Sequence, residues 1–167
     1  MSIKKITAAA FLLSATCALA TDSPINGTVQ PKCSVYTETQ GVYGNPLPNK
    51  LDTLPASGGT KASIRYDVAQ ANFYLARITH PDSFSSSPTL DDAVAWTGSS
   101  VVGQVSVAAM SDYEAAKVIS PVNVTTFDLT LAGSTWFTVS STALYGYNKA
   151  LPAGNYTAII KADCIAK

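Results

Sequence analysis

The last stretch of the chain, residues 151–167 with the sequence LPAGNYTAIIKADCIAK, joins a turn to a strand pattern that contains a cysteine. Apolar or small residues alternate with polar ones along it; the first set is Tyr156, Ala158, Ile160, Ala162 and Cys164, and the second is Asn155, Thr157, Lys161 and Asp163. A period of two is typical of a β-strand with one buried face. The stretch therefore predicts a final strand that turns Cys164 toward the core.

A second alternating segment begins at Ile25 and contains Cys33. Its odd positions form the more apolar face and read Ile25, Gly27, Val29, Pro31, Cys33 and Val35. Pro31 has no N–H to donate to a neighbouring strand, which places this strand at a sheet edge or breaks it near Pro31. Both cysteines are thus expected to point inward from the two ends of the domain.

The first twenty residues, MSIKKITAAAFLLSATCALA, have the layout of a secretory signal peptide. A charged start precedes an apolar run from Ile6 to about Ala15, and this run is shorter than the roughly 20 residues needed to span a bilayer. We expect cleavage after Ala20, which leaves a single domain over residues 21–167. The signal peptide predicts export, to the cell surface or the extracellular space.

Export also predicts the pairing of the two remaining cysteines, because disulfides persist in oxidising compartments. A Cys33–Cys164 bridge closes a loop of about 130 residues and requires the Cα atoms to lie about 5.5–6 Å apart. The first and last segments of the domain are therefore expected to be neighbours.

Composition and charge exclude several classes of function. Once the signal peptide with its two lysines is removed, nine basic residues stand against eleven acidic ones, and no basic cluster is present. Neither a nucleic acid nor an anionic membrane surface is an expected partner. With His80 as the one histidine, a Ser-His-Asp or Cys-His mechanism has little to build on, so no enzyme activity, cofactor or metal is expected.

The weaker candidate sites each have a plainer structural interpretation. His80 precedes a proline in a polar loop, where an ordinary surface histidine is expected. Three aspartates could bind calcium, but they lack regular ligand spacing and favour a solvated turn; they are Asp82, Asp91 and Asp92. Four aromatic residues could form a sugar-stacking surface, although tryptophans of a sandwich usually lie in the core; they are Trp96, Trp136, Tyr145 and Tyr147.

The middle of the chain predicts further strands separated by turns. Alternation runs through residues 62–68, 72–79, 101–109 and 125–131, and residues 134–141 read as the hairpin partner of the last of these. Residues 48–60 read as a loop, and Ser111 with Glu114 fits a capping box that starts one short helix. Together these features predict an all-β sandwich with one short helix.

Several segments together resemble subunits of bacterial chaperone–usher pili. They are INGTVQPKCSVYT, ASIRYDVAQANFYLARI and the closing LPAGNYTAIIKA, and Gly154-Asn155-Tyr156 is the most specific part. The resemblance implies an immunoglobulin-like sandwich that lacks one strand. The gap is expected to be filled first by a periplasmic chaperone and then by the N-terminal extension of another pilus subunit, with an outer-membrane usher as a further partner. It also implies a location in the periplasm and then at the cell surface. It implies a donor segment over residues 21–30, with Ile25, Gly27 and Val29 facing the acceptor groove.

The expected disulfide departs from the pilin pattern and keeps a second interpretation open. Pilins with one disulfide usually link the first strand to the end of the second, whereas Cys164 lies in the last strand. In pilins the first and last strands flank the acceptor groove. The alternative is a self-complete exported sandwich whose first and last strands pair directly. Such a domain would serve as a module that binds a glycan or envelope polymer, or as an accessory or tip protein.

Overall fold

Strict alternation of buried and half-buried side chains runs along Ala62–Val68 in the computed structural model. This structure describes residues 32–121 and 123–167, together with Ile25. From Lys32 onward the described residues belong to one compact unit. Its strands are β1 (Cys33–Thr39), β2 (Gly44–Leu47), β3 (Lys50–Asp52), β4 (Ala62–Val68), β5 (Tyr74–Thr79), β6 (Val94–Val105), β7 (Val118–Ser120), β8 (Val124–Leu129), β9 (Gly133–Tyr145) and β10 (Lys161–Ala166).

The strands form two antiparallel sheets, as expected for an all-β sandwich. In the first sheet the long strand β9 pairs with β6 on one side and with both β4 and β3 on the other. Strand β1 pairs with β4, and β2 pairs with β3. The second sheet has the order β10-β5-β8-β7. Consequently β1 is an edge of the first sheet and β10 is an edge of the second.

The core lies between the sheets and is built from the inward positions of the central strands. Tyr66, Phe127 and Phe137 are completely buried and meet at its centre. The rings of Phe127 and Phe137 lie 4.2 Å apart, and the Tyr66 ring meets Phe137 edge-on at 5.5 Å. Burying an aromatic or aliphatic side chain of this size stabilises the fold by about 1.5–3 kcal/mol.

A short helical segment covers the side of the sandwich between β6 and β7. It consists of a 3₁₀-helix over Ala108–Asp112 and helix α1 over Tyr113–Ala116. Met110 and Tyr113 project from it into the core, and the Tyr113 hydroxyl accepts a hydrogen bond of 2.9 Å from the Leu131 N–H. This segment acts as a plug that closes one open side of the sandwich.

Glu114 ties the plug to the edge of β6. Its carboxylate accepts a hydrogen bond of 2.8 Å from the Val102 N–H, and Lys117 Nζ lies 2.5 Å from it while donating to the Ser100 carbonyl at 3.0 Å. Burial raises the pKa of Glu114, but the bonds from Lys117 and Val102 outweigh that and hold it below its ordinary value. The helix is confirmed, but the capping box is wrong, because Ser111 bonds back to the Ala108 carbonyl.

Two expectations about strand pairing need correction. Residues 134–141 lie in β9 of the first sheet and β8 lies in the second, so the two strands are not a hairpin. The turn between them carries the chain across the core from one sheet to the other. Residues 48–60, expected as a loop, contain the short strand β3, which pairs with β9 and with β2 at its other edge.

Candidate functional site

The most distinctive site is the side of the sandwich opposite the helical plug, where β1 and β10 face each other from different sheets. We call it the β1–β10 seam. Its inward-facing residues are Cys33, Val35 and Thr37 from β1 with Ile160, Ala162 and Cys164 from the β10 side. Among the described residues no strand pairs with the outer edge of either strand. Main-chain N–H and C=O groups at such edges are free to pair with another strand.

Side chains at the seam are less buried than their neighbours one strand further in. In β10, Ala162 lies opposite Ile78 and Cys164 lies opposite Ala76; both partners are completely buried, whereas the two seam residues are only partly buried. In β1, Thr37 shares the inward face with Ile64 and yet is exposed. The core therefore becomes thinner toward this side, where the described part of the chain places no covering element.

The Cys33–Cys164 disulfide lies at one end of the seam. The predicted bridge is confirmed: it spans 131 positions of sequence, and its Cα atoms lie 6.2 Å apart. It links the two sheets rather than two paired strands, because β1 bonds to β4 and β10 bonds to β5. The direct pairing of first and last strands, expected for a self-complete sandwich, is therefore not what the structure has.

A cleft of about 370 Å³ lies at the other end of the seam, lined by residues 41–43 and 154–158 with Leu51. Tyr43 forms part of its wall and shares a hydrogen bond of 3.0 Å with Ser141, and burial raises the pKa of its hydroxyl. The inward residues of the seam are uncharged along its whole length. Its chemistry suits an extended segment with apolar or small side chains facing inward.

Of the expected donor residues, Gly27 and Val29 lie outside the described residues. Ile25 is described; it belongs to no strand and its side chain is exposed.

A second cleft, of about 480 Å³, lies beside Trp96 and is lined by Asp82, Phe84 and residues 87–90. The Phe84 ring packs edge-on against Trp96 at 4.7 Å and against Tyr156 at 5.1 Å. The loop that forms the cleft is held by backbone bonds between Ser86 and Thr157. The cleft thus combines an aromatic wall with hydroxyl and carboxylate groups.

The aromatic residues singled out in the sequence do not form one surface. Trp136 and Trp96 are partly exposed, so the expectation of core tryptophans is wrong. On the outer face of the first sheet, Trp136 lies next to the Arg65 guanidinium, which stacks over the Tyr36 ring at 4.7 Å. Tyr145 is buried and donates its hydroxyl to Asp91, whereas Tyr147 is almost fully exposed.

His80 is buried, contrary to the expectation of a surface histidine. Its Nε2 lies 3.2 Å from the hydroxyls of both Ser100 and Thr125, and its Nδ1 has no hydrogen-bond partner. The ring packs so closely on Gly98 that a Cβ there would lie 2.4 Å from it. Burial lowers the pKa of His80, which favours the neutral imidazole at neutral pH.

The aspartates of the predicted polar loops are separated. Lys149 Nζ lies 3.0 Å from Asp91 and 3.6 Å from Asp92, while Asp82 lines the Trp96 cleft. Hydrogen bonds from Tyr145 and Lys149 lower the pKa of Asp91. In the described part of the chain no group of three or more histidine, cysteine, aspartate or glutamate side chains is placed to hold a metal ion.

None of the helices within the described ranges combines the length and the apolar character that crossing a membrane requires. Comparison of the chain with models of protein families, with curated proteins and with solved structures finds no match.

Proposed function

We propose that this protein is a structural subunit of a bacterial surface pilus, assembled by addition of a β-strand from one copy to the seam of another, and that it contributes to adhesion through that fibre. The observation that supports the proposal most is the β1–β10 seam itself. Two edge strands of different sheets face each other across a thinned core, and their outer main-chain groups carry no partner strand among the described residues. β-Strand addition uses such edges for affinity and the intervening pockets for specificity.

The opposite side of the sandwich strengthens this interpretation. There the chain supplies its own cover, because Met110 and Tyr113 fill the core and Glu114 bonds to the β6 edge. At the seam the described residues supply only a disulfide and half-buried side chains. A covering element from another molecule completes the sandwich, first from a periplasmic chaperone during export with an outer-membrane usher, and then from a neighbouring subunit.

The proposed occupant in the fibre is the segment Thr21–Gln30 of another copy. Its alternate residues Ile25, Gly27 and Val29 are apolar or small, which matches the uncharged inward face of the seam. Its single charged residue, Asp22, lies near the start. The segment thus has the length and pattern of a strand that is buried on one face.

The test is a gel of surface extracts sheared from producing cells, run in SDS without reductant, either unheated or heated. Strand-exchanged polymers appear as an unheated ladder that collapses on heating to one band of mature size. In matched variants, Ile25→Asp is expected to abolish the ladder, because it places a charge on the inward face, and Asn26→Asp to preserve it. A single compact monomer in both wild-type lanes, or a normal ladder from Ile25→Asp, contradicts the proposal.

The Trp96 cleft supports a second candidate function, the binding of a neutral glycan. Aromatic faces stack on sugar rings, and Asp82 with the neighbouring hydroxyls supplies hydrogen-bonding groups, in a cleft of the size usual for small ligands. The test is quenching of tryptophan fluorescence by a panel of neutral oligosaccharides. Trp96→Ala is expected to abolish the response and Trp136→Phe to retain it. If no member of the panel changes the wild-type spectrum, glycan binding at this cleft is contradicted.

A further inference from the structure

The two ends of the β1–β10 seam differ in width, and this limits what a strand placed in it can do. At the disulfide the Cα atoms of Cys33 and Cys164 are 6.2 Å apart. A strand inserted between two edges lies about 4.8 Å from each, so the edges must stand roughly 9.6 Å apart. The bridged end is too narrow for this, whereas the other end opens into the 370 Å³ cleft between residues 41–43 and 154–158.

We propose that the Cys33–Cys164 disulfide is an end stop that fixes the register of the inserted strand. This inference rests on the proposed function, since it concerns the strand that the seam accepts. An inserted strand advances along the seam until its tip meets the bridge and goes no further. The bridge thereby sets which residues of the donor face Val35, Ala162 and Ile160.

The stop also determines the direction of the strand. The donor segment must continue through Pro31 and Lys32 into the folded part of its own copy, and a chain can leave the seam only at the unbridged end. The free N-terminus therefore lies at the disulfide. Because β10 runs toward the bridge at Cys164 and β1 runs away from it at Cys33, the donor runs antiparallel to β10 and parallel to β1.

The length of the seam agrees with this arrangement. From Cys33 to Val42 the seam side of β1 and the residues after it extend over about 30 Å, at roughly 3.3 Å per residue. About eight donor residues fit between the bridge and the open cleft. The ten residues of Thr21–Gln30 fill this space and leave a short connection to the next folded unit. Residues added before Thr21 find no space in the seam, because the disulfide closes that end.

Three peptides with a dye at the C-terminal end test the end stop on the monomeric mature chain by fluorescence anisotropy. One is Thr21–Gln30, the second carries Ser-Gly-Ser before Thr21, and the third carries Ser-Gly-Ser after Gln30. We expect the N-terminal extension to weaken binding at least tenfold and the C-terminal extension to change it less than twofold. In the Cys33→Ala/Cys164→Ala variant the penalty of the N-terminal extension is expected to disappear.

Each result has a distinct meaning. Equal binding of the native and N-terminally extended peptides overturns the end stop and leaves strand acceptance standing. A loss of affinity that is the same for both extensions also overturns it, since a stop acts at one end only. This comparison is made on the disulfide-bonded protein and stands whether or not the alanine variant folds. Failure of all three peptides to bind contradicts strand acceptance itself, and with it the proposed function.

Discussion

Removal of the Cys33–Cys164 disulfide is expected to cost a large part of the stability of this domain. The bridge closes a loop of 131 positions, and for that length the chain-entropy model gives about 5 kcal/mol. Small domains have a total free energy of unfolding of about 5–15 kcal/mol. Engineered and native disulfides usually contribute somewhat less than the model gives, so we expect the double alanine variant to lose about 3–5 kcal/mol.

The position of the bridge gives a further reason for a large effect. Within residues 32–121 and 123–167 no helical cover lies over the seam, and Cys33 and Cys164 are only half-buried. Noncovalent packing there is therefore a weak substitute for the covalent link. Without the bridge, β1 and β10 are held only by their partners β4 and β5, and each is an edge strand.

Equilibrium urea unfolding measures this loss. The comparison uses the extrapolated free energies of unfolding rather than the midpoints, because removing a cross-link exposes more surface in the unfolded chain and steepens the denaturant dependence. Wild-type protein treated with reductant is the matched control, since it breaks the same bond without a change of side chain. A loss below about 1 kcal/mol in both samples would refute the argument and show that packing alone holds the seam.

Three other predictions concern the interior. The pKa of His80 is lower in the folded protein than in the unfolded chain. As the pH falls below 6.5, the unfolded chain therefore binds a proton at His80 before the folded protein does, and the free energy of unfolding decreases. In His80→Asn this decrease, measured by unfolding at pH 7 and pH 5, is expected to be smaller. Tyr113→Phe leaves the Leu131 N–H without its acceptor and is expected to lower the free energy of unfolding by about 1–3 kcal/mol, measured by thermal or urea unfolding. The control Tyr147→Phe removes an exposed hydroxyl and is expected to change it by less than about 0.5 kcal/mol. Gly98→Ala drives a methyl group into the His80 ring and is expected to cost about 1–3 kcal/mol; an unchanged melting temperature would contradict the close contact.

Local alternation was sufficient to predict the central strands and the inward direction of both cysteines. Residues 62–68 form β4 with the predicted buried face, and the alternating exposure before Cys164 extends back to Tyr156 although β10 begins only at Lys161. Period-two alternation reports that one face is buried. It carries no information about which sheet a strand joins, and for this reason β8 and β9 were wrongly expected to form a hairpin.

The remaining errors arise from long-range packing. Strand β2 contains Pro46 and is too short to show a period, so its pairing with β3 is visible only once β9 is in place. The burial of His80 depends on Gly98 and Ser100, which come from a strand about twenty residues away. The seam itself is a relation between the two ends of the chain. Alternation predicted the inward face of each end separately, and only the expected disulfide predicted that the two ends are neighbours.

The two open sides of the sandwich are closed in different ways, and this difference supports the proposed function. Between β6 and β7 nine residues, Ala108–Ala116, form a plug that fills the core and hydrogen-bonds to the edge of β6. At the seam it has a covalent link at one end and a cleft at the other. A plug at the seam would cover the outer edges of β1 and β10. The disulfide holds the two sheets together and leaves these edges unpaired within the described residues. The second arrangement fits the proposed function, in which the domain stays folded until it receives a strand from another molecule.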